Sequence, residues 1–119
     1  MHPSPQHRNP LSPFAERIAI SITDGHYRQA IRSLENDEGV LTKDDASGLL
    51  TVVAFDFNNI LTALFGFCDL SAIQLDNYYR PLDREGVLYN IKNASGCAQR
   101  LHLLRQINEI LHRRSVVVK

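Results

Sequence analysis

The side chains able to do chemistry in this chain of 119 residues are few and mostly scattered. Cys68 and Cys97 are the two cysteines, and they form neither a C-x-x-C pair nor a cysteine–histidine set with metal-ligand spacing. They read as small core residues of a reduced protein. The five histidines, His2, His7, His26, His102 and His112, stand apart from one another, and His102 reads as a solvated helix-surface residue. No G-x-x-x-x-G-K-S/T loop and no G-x-G-x-x-G turn is present to cradle phosphates. No metal and no cofactor is expected. One stretch differs. Phe55-Asp56-Phe57-Asn58-Asn59, followed by Thr62 and Gly66, sets a carboxylate, two carboxamides and a hydroxyl among aromatic rings.

The rest of the chain must position that stretch. Lys+Arg and Asp+Glu number 13 each, so no charge excess points to nucleic acid or to an anionic membrane. Apolar residues make up 44 %, enough for one globular domain. The N-terminus, MHPSPQHRNPLSPF, has no apolar signal core, and no apolar run is read as long enough to span a membrane. A cytoplasmic protein is expected.

Residues 1–11 hold three prolines and read as a disordered lead-in. Residues 12–40 read as an N-terminal helical segment. Ser12-Pro13 supplies its N-cap and first position, and Gly25 interrupts it. The segment is one kinked helix or two short ones, with Asp24 capping the second. Asn36 to Gly39 form a turn, and Thr42 with Asp45 has capping-box spacing, with Asp for the usual Glu.

Residues 41–114 read as a long helical hairpin. Its first helix, from about 43 to about 77, has the stripe Leu49, Val53, Phe57, Ile60, Leu64, Phe67 and Leu75, with Ser71 on the same line. Pro81 closes the break that follows. The second helix, from about 82 to about 113, has the stripe Val87, Ile91, Ala94, Ala98 and Leu101, drifting on to Leu104 and Leu111. Residues 115–119 are expected to be a frayed or extended tail. The fold class is all-α: a long antiparallel hairpin after a shorter helical segment. Two such hairpins from two chains would make a homodimeric four-helix bundle. A monomer could instead use the N-terminal segment as a third member.

Helical geometry sorts the polar stretch. At about 100° per residue, Val53, Phe57, Ile60, Leu64 and Phe67 cluster within about 40° of one direction. Phe55 points roughly 160° away from it. Thr62 lies on the same outer side, flanked by Asn58, Asn59 and Gly66. Phe55 is therefore predicted to sit on the outer face.

The run Val53-Ala54-Phe55-Asp56-Phe57-Asn58-Asn59-Ile60-Leu61-Thr62 closely resembles the H-box of hybrid-type histidine kinases, V-A-H-D-F-N-N-x-L-T. Nine of ten positions agree, counting the variable one. The exception is Phe55, which stands where the phosphoacceptor histidine would be. Ile91, Ala94, Ala98 and Leu103-Leu104-Arg105-Gln106-Ile107 are similar to that family's I…A…A…L-T-R-Q-L segment, with Leu104 replacing its threonine. The resemblance spans roughly residues 43–113 and is to the family's dimerisation and phosphoacceptor (DHp) domain.

The resemblance implies a place in two-component signalling. Imidazole transfers phosphate through a ring nitrogen, and a phenyl ring has no lone pair to offer, so phosphotransfer through Phe55 is excluded. The family's ATP-binding boxes are not found in these residues, so no autonomous kinase is expected. The first expectation is a non-catalytic pseudo-phosphoacceptor module. It would dimerise and dock a response-regulator receiver domain or a histidine kinase through Phe55, Asp56, Asn58, Asn59, Thr62 and Gly66. The second is a phosphatase toward the receiver's phosphoaspartate. In related kinases the residues corresponding to Asp56 and Asn59 serve that hydrolysis, Asn59 orienting the water. The third is a helical scaffold outside two-component signalling.

Overall fold

The computed structural model describes residues 11–36, 41–76 and 81–117, and the expectations made for 1–10, 37–40, 77–80 and 118–119 lie outside them. Among the described residues every regular element is an α-helix. Each helix begins where the local chemistry asks for it. The Ser12 Oγ accepts the Ala15 N–H at 3.2 Å, and Pro13 fills a position whose N–H would have had no partner. This opens α1, Pro13–Thr23.

Helix α1 ends at Asp24, whose N–H meets the Ile20 carbonyl at 2.9 Å, and Gly25 follows with φ at +81°. That left-handed turn suits glycine and reverses the chain. The N-terminal segment is thus two helices. Asp24 closes the first and does not cap the second, since α2, Tyr27–Asn36, starts with the Ala30 N–H on the His26 carbonyl at 3.1 Å.

The Thr42–Asp45 capping box forms: the Asp45 N–H donates to Thr42 Oγ1 at 3.0 Å, and the Thr42 N–H donates to Asp45 Oδ2 at 3.3 Å. It starts α3, Lys43–Leu75. Asp83 Oδ1 accepts the Gly86 N–H at 3.0 Å and starts α4, Arg84–Val117. The two long helices pack antiparallel, each about 50 Å long at 1.5 Å per residue. Near the turn end Asn90 Nδ2 donates to Gln74 Oε1 at 3.0 Å.

Helices α1 and α2 form a second, short hairpin along the open end of the long one, α1 on α3 and α2 on α4. Three polar contacts fasten it. Asp45 accepts the Ser12 N–H at 3.0 Å and the Ser12 Oγ–H at 2.8 Å. The Tyr27 hydroxyl donates to Asp56. The Arg114 guanidinium donates to the Leu34 carbonyl at 2.8 Å. Between these points Phe14, Ile18, Ile22, Tyr27 and Leu34 are buried against Leu49, Val53, Leu104, Ile107 and Leu111.

Three sequence expectations are corrected. Residues 115–117 are helical rather than frayed, because Ile110, Leu111 and Arg114 tie the last turns to α2 and no glycine or proline breaks them. The buried line of α4 is Val87, Asn90, Cys97 and Leu104, whereas Ile91 and Ala98 are exposed, as is Leu75 of α3. The α4 stripe read by periodicity is therefore turned partly away from the surface that one chain buries, Val87, Leu104 and Leu111 excepted, whereas Leu49, Val53, Ile60 and Ser71 of the α3 stripe lie on that surface. Finally, an 18-residue window of α3 is apolar enough, by composition and length alone, to cross a membrane. Aspartates and asparagines spread along the helix hid that surplus from a search for unbroken apolar runs.

Candidate docking face

Residues on the outer side of α3 are there because the inner side is fixed. Val53 and Ile60 are buried in the seam with α4, which turns residues 55, 58, 62 and 66 outward. Phe55 is 70 % exposed, the most exposed large apolar side chain among the described residues. Asn58, Asn59, Thr62 and Gly66 are also exposed, and Asp56 is half-buried at the inner edge. Phe55, Asn58, Asn59, Thr62 and Gly66 lie on the outer side of α3, with Asp56 turned toward the seam, and Phe55 to Gly66 spans about 16 Å. Thr62 Oγ1 donates to its own helix, at the Asn58 carbonyl, 2.9 Å away. The carboxamides of Asn58 and Asn59 face solvent.

Asp56 differs from its neighbours. Its Oδ2 accepts the Tyr27 hydroxyl at 2.6 Å, a short charge-assisted bond from the first turn of α2. Burial, and then the Asp56 carboxylate, push the Tyr27 phenol well above its ordinary range, with Arg100 opposing. At neutral pH the tyrosine is a fixed donor. One oxygen of Asp56 is thereby committed to holding the short hairpin on the long one. Nothing local to Tyr27 or Asp56 signals a partner 29 positions away in the sequence.

The exposed flank continues beyond Gly66. Ile73, 65 % exposed, points in the same direction as Phe55. A Cβ built on Gly66 meets nothing within 4 Å, so the glycine answers no close contact inside the chain. Among the described residues, no three His, Cys, Asp or Glu side chains gather to hold a metal ion. The arrangement presents an aromatic ring ringed by neutral hydrogen-bonding groups, a surface suited to apolar docking with polar registration.

Compared with known proteins, the chain matches no family model, no curated protein and no solved structure.

Proposed function

We propose that this chain is a non-catalytic docking module of the DHp kind, acting in two-component signalling in the cytoplasm. It binds a receiver domain, or a histidine kinase, through the outer flank of α3 and works as a homodimer. The observation that carries the reading is Phe55: a phenyl ring, 70 % exposed, at the position where the H-box resemblance calls for a phosphoacceptor. Burying such a ring against a partner is worth about 2 kcal/mol. It supplies affinity without a site for phosphate.

A second reading is a phosphatase acting on the receiver's phosphoaspartate. Asn59 favours it, being exposed one turn from Phe55 and free to orient a water. The Tyr27 bond weighs against it, because it occupies one oxygen of the Asp56 carboxylate.

Decay of a phosphorylated receiver domain separates these readings. The docking module leaves the rate unchanged and acquires no label. Label on this chain overturns the proposal. Faster decay that Asn59→Ala abolishes establishes the phosphatase instead.

A further inference from the structure

Although the chain as a whole is neutral, its charges are sorted. Helix α2 and residues 99–114 of α4 carry six arginines against two glutamates, with no aspartate and no lysine. Three of these arginines are engaged within the chain. Arg114 holds the Leu34 carbonyl, Arg105 stands 3.9 Å from Glu109, and Arg100 donates to the Cys97 sulfur. Arg28, Arg32 and Arg113 are exposed, and among the described residues none of them is in an ion pair.

The charges of α2 also run against what a helix favours. Arg28 is in the first turn, which has no acidic residue, and Glu35 is near the end, where no basic residue stands. Both oppose the helix macrodipole. Arg28 and Arg32 are four residues apart, like charges one turn above another. Nothing in the folding of α2 calls for this order.

Helix α2 runs parallel to α4: Tyr27 at its start lies within reach of the Arg100 charge, and Leu34 near its end bonds Arg114. With α1 on α3 and α2 on α4, Ile31 lies on the flank of α2 that meets α4, and Ala30 turns toward α1. Leu103 and Ile110 lie on the flank of α4 that meets α2. Past Ile31, Arg28 and Arg32 point about 60° and about 100° further out of the bundle. Past Ile110, Arg113 and His102 point about 60° and about 80° further out. The two helices thus frame a groove with half-buried Ile31 and Leu103 in its floor and guanidinium groups on both lips. Glu35 stands at the end nearest Arg113. The groove opens on the side of the bundle opposite Phe55.

We propose that the α2–α4 groove binds an acidic amphipathic helix of another protein. Its apolar side chains rest on Ile31 and Leu103, and its carboxylates meet Arg28, Arg32 and Arg113. Charge complementarity carries the choice. A planar guanidinium meets a carboxylate in two parallel hydrogen bonds. An apolar strip between charged lips suits a helix laid in a groove. Nucleic acid or an anionic bilayer suits it less well, since phosphates gain nothing from the apolar floor and Glu35 repels them. The proposal is independent of receiver docking through Phe55.

The test titrates the full chain into a fluorescent synthetic peptide of about 14 residues, four helical turns, with leucines along one face and glutamates beside them. Anisotropy is expected to show binding that weakens between about 0.1 M and about 1 M salt, as screening shortens the reach of the charges. Arg28→Glu with Arg32→Glu should weaken binding by about tenfold or more. That variant should unfold in urea no more readily than the native protein, since a glutamate in the first turn of α2 agrees with its macrodipole. Arg113→Glu, on the other lip, should weaken binding severalfold, and Arg84→Glu at the turn end should not change it. Absence of binding overturns the proposal, as does equal binding by the variants of both lips. So does equal binding of the counterpart peptide with lysines for glutamates. A single-stranded oligonucleotide or phosphatidylcholine–phosphatidylglycerol vesicles bound more tightly than the peptide would also overturn it.

Discussion

The hydroxyl of Tyr27 lies 2.6 Å from Oδ2 of Asp56, joining the start of α2 to the residue beside Phe55. The short hairpin therefore reaches the docking flank through a single hydrogen bond. Removing it with Tyr27→Phe should destabilise the fold by about 1–2 kcal/mol at neutral pH, read from urea unfolding. The phenol is held above its unfolded value of 10.0, so its stability contribution is complete below pH 10 and is lost as pH rises beyond it. The native protein should lose stability in that alkaline range more steeply than Tyr27→Phe. Parallel slopes would show that the bond does not form.

Asp45 makes the opposite pH prediction. Burial works to raise its carboxyl, but hydrogen bonds from Ser12 and Thr42 outweigh burial and hold it below the ordinary carboxylate range. Its contribution is present above the unfolded value of 3.8 and is lost as pH falls through the lower folded value. Asp45→Asn should cost about 1–3 kcal/mol at neutral pH and flatten the acid limb of the stability curve below about pH 4. An unaltered acid limb would remove Asp45 as the anchor of Ser12.

Glycines inside helices offer a cleaner contrast. Gly66 and Gly96 lie mid-helix with open space where a Cβ would be, while a Cβ on Gly48 would come within 2.8 Å of Leu11 Cδ2. Gly66→Ala and Gly96→Ala should each stabilise the chain by about 0.5–1 kcal/mol in denaturant unfolding. Gly48→Ala should gain less, because Leu11 must move. If the docking flank extends past Thr62, Gly66→Ala should also weaken receiver binding and Gly96→Ala should not. Equal binding by both would end the flank at Thr62.

Local signals in the sequence were legible where a rule acts on neighbours. Ser12-Pro13, the Thr42–Asp45 box and Pro81 mark element limits that the structure keeps. The outward direction of Phe55 followed from counting turns on α3. The rest depended on contacts distant in sequence. Asp24 looked like an N-cap until the left-handed Gly25 made it the end of α1. The α4 stripe was read through Ile91 and Ala98, because Asn90 is polar and Cys97 small, yet Asn90 is satisfied by Gln74 and both are buried. The Tyr27–Asp56 bond required knowing that α2 folds back beside α3.

Titration calorimetry of a receiver domain against the native protein and Phe55→Asp bears most directly on the docking proposal. Phe55 is exposed and touches no core, so the variant should keep its helicity and its oligomeric state. Loss of an interaction worth about 2 kcal/mol should weaken receiver binding by about thirtyfold. Equal affinity of the two proteins for the receiver would contradict the proposal.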